Sequence, residues 1–384
     1  MITIENAMVL YGENLEPIKT NVLIQDHKIV EISPNVRKGE IIDAKGCIVA
    51  PSLINSHVHL GDSVAMDMGD GRPLAELVKP PNGLKHHILT DTPRSVMLES
   101  MKKTMWEMLR SGTTTFVDFR EGGFKGINIL IEASEDIPIR KIMLGRHDSF
   151  HDPLVSPILV ESIAEDLLDN CDGLAPSGLG EISDSVASII TRTCKKRRKL
   201  SAIHAAESLE VQRDSVQHTG KSEVERALEI GFDLLVHLTA PINDDLDRVA
   251  KSGTPVVSCP RSNGALAVGI PPIKEMFDKG INILLGTDNL MFNSPNLLKE
   301  MEYTLKVIRG YYGEYFPPKE ILKMATVNAA RALNLDVGWL EEDRIADMML
   351  IEQISEDPIL SIINRTETKN IRNLIIDGEI LSKL

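Results

Sequence analysis

From Cys47 onward the chain alternates short apolar, β-branched runs with longer segments of helical spacing. The runs lead into His57, then cover Thr113–Phe119, Arg140–Leu144, a Gly-interrupted stretch within Gly173–Glu181, Leu200–His204, Phe232–His237, Thr254–Cys259 and Ile281–Gly286. Between them the helical segments carry caps and stops. One opens at Thr92-Pro93, shows Met97, Met101, Met105 and Met108 on one face, and stops at Gly112. Others cover Gly126–Ala133, Ser156–Asp169, Ser185–Lys199, Leu209–His218, Asp244–Lys251, Pro272–Lys279, Pro295–Arg309 and Pro317–Leu333. Parallel strands need a long crossover and antiparallel ones do not, so this alternation predicts a parallel sheet covered by helices.

Eight strands over this length fit a closed (β/α)8, TIM-type barrel, for which about 250 residues is typical. A doubly wound open sheet is the alternative. It is disfavoured because no Gly-rich phosphate fingerprint follows the first strand. The chain ends read differently. Residues 1–46 and the runs Ala346–Glu352 and Ile371–Leu381 are strand signals with too little apolar content to stand alone. We expect residues 1–50 and 340–384 to pair into one small composite β-sandwich, with 51–339 as the barrel. Two separate appendages would leave strand edges unpaired. Residues 61–93 are rich in Gly, Pro and charge, and read as a long loop with fixed bends over the barrel mouth.

The C-terminal ends of barrel strands carry the active site in this architecture. Here the first strand ends in His57-Val58-His59, the fifth in His204-Ala-Ala-Glu207, the sixth in His237 and the eighth in Gly286-Thr287-Asp288. Residues i and i+2 share one face of a strand, so His57 and His59 stand side by side. Any one of these polar residues could be a satisfied core group. Four strand ends meeting at one rim are better explained by a shared divalent ion, and imidazoles with a carboxylate suit Zn2+ or Fe2+. A metal ion lowers the pKa of bound water toward neutrality and so supplies a hydroxide nucleophile.

Composition removes other classes. The formal charge is −14 with pI about 5.3 and aromatics are 4%, which argues against nucleic-acid and anionic-membrane partners. The run Lys195–Lys199 reads as a solvated helix C-terminus. Cys47, Cys171, Cys194 and Cys259 show no CxxC spacing. The start Met1–Asn6 lacks the basic residues and apolar core of a signal peptide, and no run reaches spanning length. A cytoplasmic protein with a small-molecule substrate is expected, and assembly into a homo-oligomer is compatible with this.

The ordered set Pro51–His59, His204-Ala-Ala-Glu207, His237, Cys259-Pro-Arg-Ser-Asn263, Gly286-Thr-Asp-Asn289 and Thr326–Leu333 resembles the amidohydrolase superfamily. The similar branch holds cytosine deaminase, nucleoside-type aminohydrolases and triazine hydrolases. The resemblance implies that His57, His59, His204 and Asp288 bind one metal ion, Zn2+ favoured over Fe2+. It implies that Glu207 and His237 act on water and substrate, with Asp288 taking the last proton. The fourth-strand region Gly173–Glu181 has no lysine to be carboxylated, which points to a mononuclear site, although Glu181 could bridge. Arg146, Arg261, Asn263 and Asp62 are candidate substrate contacts. The two arginines suit an anionic or carbonyl-rich substrate, or else pair with rim carboxylates. The function expected is hydrolytic deamination of an aminated heterocycle. Opening of a cyclic amide of the imidazolone type, and a silent barrel used for binding or assembly, are the alternatives.

Overall fold

The computed structural model describes residues 1–79 and 82–381; Pro80 and Pro81, within the segment expected to cover the mouth, lie outside the described residues. The chain begins with β1 (Ile2–Tyr11), β2 (Glu16–Gln25), β3 (Lys28–Ser33), β4 (Glu40–Asp43) and β5 (Cys47–Pro51). It then enters β6 (Leu53–His59), β7 (Thr113–Arg120), β8 (Arg140–Gly145), β9 (Gly173–Leu174), β10 (Leu200–Ala205), β11 (Leu234–His237), β12 (Val256–Ser258), β13 (Ile283–Leu285) and β14 (Asp288–Asn289). It returns in β15 (Met348–Glu352), β16 (Ile371–Ile376) and β17 (Glu379–Ile380).

The middle nine strands are parallel neighbours in the order β13-β12-β11-β10-β9-β8-β7-β6-β14. Gly286 and Thr287 separate β13 from β14, and β14 pairs with β6 through Asp288↔Val58 and Asn289↔His59. β13 and β14 are therefore one interrupted stave, and it closes an eight-stave barrel. Asn55 and Thr287 seal the seam with two hydrogen bonds, Nδ2 to Oγ1 at 2.8 Å and backbone N to Oδ1 at 3.0 Å. Only glycine fits at 286, because a Cβ there would lie 2.7 Å from the Cβ of His57. Thus the first and last staves are in close contact beside the first candidate ligand.

The chain ends form one eight-stranded sheet, β17-β16-β15-β5-β1-β2-β3 with β4 on β1. Ile4, Val9, Val22, Ile29, Val49, Met348, Leu350 and Ile375 pack into its own apolar cluster. A larger cluster fills the barrel and the helix layer, and Met97, Met101, Met105 and Met108 belong to it.

Three expectations are corrected. Residues 60–91 are largely helical: a 3-10 turn over Leu60–Ala65, α1 (Leu74–Val78) and α2 (Leu84–Asp91). Pro73 sits just before α1, where its missing N–H costs nothing, so it starts a helix instead of preventing one. Thr92 does not cap the next helix, α3 (Arg94–Arg110). Its hydroxyl donates back to the Ile88 carbonyl at 2.6 Å, closing α2. The last barrel helix is also split, into Pro318–Met324 and Val327–Ala332. The break frees the Ala325 carbonyl, which accepts from Ile54 N of β6 at 2.9 Å.

Candidate functional site

Four imidazoles converge where β6, β10 and β11 end. His57 lies with ring centroids 4.9 Å from His59, 5.1 Å from His204 and 6.0 Å from His237. His57 Nε2 is 3.0 Å and His59 Nε2 is 3.5 Å from Oδ1 of Asp288, the residue after the break in the last stave. Two overlapping triads, His57–His59–His204 and His57–His237–Asp288, each place three donor atoms within 4.8 Å of one another. Glu181 belongs to neither triad.

The backbone is bent to bring these groups together. Ala206, His237 and Asp288 have φ of 53°, 79° and 55°, the left-handed region that non-glycine residues avoid. Leu238 N and Thr239 N bond to the carbonyls of Ala205 and Ala206 at 3.1 and 2.9 Å, and these bonds hold the turn in place. Strained backbone at three strand ends around one cavity is the pattern expected of a functional site.

Each ring is oriented from behind. His59 Nδ1 lies 2.8 Å from Glu121 Oε1 and 3.2 Å from the Phe119 carbonyl. His204 Nδ1 lies 3.0 Å from the Ser177 carbonyl. Both Nδ1 atoms face acceptors only, so they carry the proton and Nε2 is left as a free lone pair. His57 Nδ1 is buried without any partner. Burial lowers the pKa of His57 and holds that of His204 well below the ordinary value; it takes His59 to about 3, with Lys85 adding to the effect. These are neutral imidazoles, the form that ligates. Burial opposes ionisation of Asp288, yet the His57 contact and the nearby His237 and His59 hold its carboxyl well below the usual range. Ser262 Oγ donates to Asp288 Oδ2 at 2.6 Å and fixes the second oxygen. Three neutral nitrogen donors and one carboxylate, buried and facing one point, fit a divalent cation with nitrogen preference.

Glu207 stands beside this cluster. Burial, then repulsion from Asp288 and Glu181, pushes its carboxyl up to about 8. Its Oε1 is 3.8 Å from His237 Nε2. Asn263 Nδ2 lies 3.2 Å from His237 Nδ1. With that amide donating, Nδ1 is an acceptor and Nε2 carries the proton toward the cavity.

The cavity has a volume of about 860 Å3 and reaches His59, His204, Glu207, His237 and Asp288 at its floor. Of the four candidate substrate contacts only Arg146 lines it. Arg146 is already engaged, with Nη2 3.1 Å from Glu121 Oε1 and Nη1 donating to Ser177 Oγ. Asp62 is fully buried and holds Lys85 at 2.8 Å. Asn263 is fully buried behind His237. Arg261 turns to Glu300, whose Oε1 accepts from Arg261 N at 2.9 Å while Nη1 lies 3.6 Å from Oε2. By sequence, Lys85, His86 and His87 put positive charge near one end of segment 61–93; in the structure Lys85 is matched by two carboxylates, and burial takes His86 to about 4.

Sequence reasoning missed Glu121, Ser177 and Ser262, and the ion-pair role of Lys85. Glu121 follows β7 directly and could have been found by applying the strand-end rule to that strand. Ser262 lies between Arg261 and Asn263 in a stretch already singled out. Ser177 acts through its backbone carbonyl, and Lys85 depends on a helix the segment was not expected to form.

Comparison with known proteins agrees with the geometry. Residues 48–381 match the model of the amidohydrolase family. A putative aminohydrolase of Methanothermobacter thermautotrophicus is 51% identical over 384 residues, covering 100% of both chains. A 5-methylthioadenosine/S-adenosylhomocysteine deaminase of Thermococcus onnurineus is 28% identical, covering 99% of this chain and 93% of its own. In fold, a zinc-bound crystal structure of an adenosine deaminase from Xanthomonas campestris superposes with a TM-score of 0.86 at 19% identity, covering 99% of this chain and 92% of that one. The chain belongs to the amidohydrolase family, hydrolases that act on carbon–nitrogen bonds.

Proposed function

We propose that this protein is a mononuclear metal-dependent deaminase that replaces the amino group of a heterocyclic ring with oxygen and releases ammonia. The observation that carries the reading is the position of Glu207. It is a mostly covered carboxyl, partly open to the cavity, with a raised pKa, 3.8 Å from His237 Nε2 and next to a cluster of neutral imidazoles. A silent barrel has no use for a proton carrier held at that cost.

His57, His59, His204 and Asp288 would hold the metal, and this donor set favours zinc over iron(II). When bound, the ion supplies Lewis-acid activation of water and of the carbon under attack. The chain's own groups move the protons. Glu207 takes a proton from the attacking water and delivers it to a ring nitrogen, for which a pKa near neutrality is well matched. His237 Nε2–H donates to the oxygen being added, with Asn263 holding the tautomer. Asp288 passes the remaining proton to the departing amine, whose bond to the ring carbon breaks as the carbonyl forms.

The cavity narrows the substrate. About 860 Å3 is more than a bare base needs and lies within the range of sites that take drug-sized ligands. Leu209, Val211, Leu266 and Val268 give the cavity an apolar lining, and Arg146, Ser177 and Glu181 a polar one. An aminated ring carrying a mixed polar and apolar substituent suits both kinds of lining. The deaminase relatives that act on 5′-thio-substituted adenosines make adenine nucleosides the first compounds to try. An ammonia-release screen over adenine nucleosides, free purines, pyrimidines and pterins, on protein of measured metal content, tests this. Release from the nucleosides with close to one zinc per chain is expected. Opening of cyclic amides without ammonia release, or a protein that takes up no metal, would overturn it.

A further inference from the structure

His59 is oriented through Glu121, and Glu121 is in turn gripped by a helix outside the barrel staves. On α2 the one buried side chain is a lysine: Lys85 is 3% exposed. Leu84, Ile88 and Leu89 of this helix are only half-buried, so its deepest contact is a charged one, and a buried ammonium is costly unless matched. Here it is matched twice. Lys85 Nζ lies 2.8 Å from Asp62 Oδ2 and 2.7 Å from Glu121 Oε1. The same Glu121 oxygen is 2.8 Å from His59 Nδ1 and 3.1 Å from Arg146 Nη2. Its other oxygen accepts from Arg120 Nη2 at 3.0 Å.

We infer that Lys85 is a positioning residue for the metal centre: through the shared oxygen of Glu121 it fixes the ring of His59 and so the nitrogen that faces the cation. The inference rests on the metal reading and adds to it the residue that sets how firmly the metal is held. Arg120 and Arg146 lie on the remaining sides of Glu121, so without Lys85 the carboxylate can turn to them, and His59 Nδ1 keeps only the Phe119 carbonyl at 3.2 Å. The backbone after His59 is braced by the same group of charges. Asp118 Oδ1 accepts from Leu60 N at 2.6 Å, and the Arg120 guanidinium lies so close to Gly61 that a Cβ there would collide with it. Lys85, Arg120 and Arg146 balance Asp62, Asp118 and Glu121, all of them buried. Removing Lys85 therefore leaves an excess carboxylate beside His59.

The test uses full-length protein loaded with Co2+, whose visible ligand-field spectrum reports the arrangement of ligands. Lys85→Met should change that spectrum and speed metal loss to a chelator by roughly ten- to a hundredfold, the usual cost of a lost partner behind a ligating histidine. Lys85→Arg should restore most of both. Leu77→Ala removes the one buried side chain of α1, the neighbouring helix, without touching the charges, and should leave the spectrum and release rate as in the parent. Glu121→Gln, which keeps the shape of the side chain, should reproduce the Lys85→Met spectrum and serves if Lys85→Met does not fold. A parental spectrum and release rate in Lys85→Met, or in Glu121→Gln where that variant stands in, overturns the inference. So does an equal effect of Leu77→Ala, which would mean that cover of the mouth matters and not the ion pair. A parent that takes up no Co2+ defeats the metal reading itself.

Discussion

On the side of the mouth built from β6, β10, β11 and β14, His57 and His237 are buried and His204 half-buried, His57 Nδ1 has no partner, and the cavity-side nitrogens face one another and Asp288. On the side built from β7 and β8, Glu121 and Arg146 are just as buried, yet Glu121 alone contacts His59, Lys85, Arg120 and Arg146. The first side holds donors with capacity to spare. The second holds ions that have used theirs on one another. Burial of ionisable groups does not by itself mark a binding site, because a closed ion network buries them as deeply. What distinguishes the two is the account of partners: the unsatisfied side can bind, and the satisfied side can only hold the binding side in place.

The largest effect that could break this contrast comes from the unsatisfied side. His204→Ala removes a nitrogen donor from the His57–His59–His204 triad. The expected outcome is loss of both metal and activity, read by elemental analysis and ammonia release. Glu207→Gln should separate the two properties. It should keep the metal and lose roughly two to four orders of magnitude in kcat, as for a missing general acid or base. If Glu207→Gln emptied the site, Glu207 would be a ligand and the assignment of proton transfer would move elsewhere.

Asn263→Ala sharpens the contrast at a residue one step behind the chemistry. It lets His237 carry its proton on either nitrogen, and the expected loss is about ten- to a hundredfold in kcat with KM and metal content little changed. An equal rise in KM would instead make Asn263 a substrate contact, despite its place behind His237 and outside the cavity wall.

The same contrast explains what could be read from the sequence. Strand–helix alternation gave the barrel because periodicity and crossover geometry are local properties of the chain. His57, His59, His204, His237 and Asp288 were legible because each ends an apolar run that cannot satisfy it, and a buried polar group with no local partner shows even in one dimension. Asp62, Arg146 and Arg261 looked equally promising and are engaged by other charges. Nothing local tells an arginine bound for a ligand from one bound for Glu121 or Glu300, whose partners lie 25 and 39 residues away. The segment 61–93 was misread for a related reason. Its Gly and Pro residues mark helix ends as well as bends, and α2 fully buries only a lysine while Leu84, Ile88 and Leu89 are half-buried, so its apolar face is too weak to recognise.

The smallest expected effect lies at Arg261, and it concerns stability with activity unchanged. Glu300 is fully buried, and burial pushes its carboxyl up to about 7 against the pull of Arg261. The sign follows from linkage. The folded pKa lies above the unfolded value of about 4.5, so the folded state binds the extra proton between those limits. The carboxyl then costs nothing below about pH 4.5 and destabilises progressively as the pH rises through about 7, by an upper bound on the order of 3 kcal/mol. Glu300→Gln is neutral throughout, and its carbonyl can still accept from Arg261 N. Its Tm should therefore exceed the parent's at pH 8, and the gap should shrink toward pH 5. Arg261→Ala should act in the opposite direction, lowering Tm most at pH 8, where the carboxylate it leaves behind is ionised. Because Arg261 does not line the cavity, KM should stay as in the parent. A Glu300→Gln gap that is constant or grows toward pH 5 would show that the pair is not an ionised network at neutral pH. A tenfold rise in KM for Arg261→Ala would return that arginine to the substrate, and would move part of the satisfied side of the mouth into the binding side.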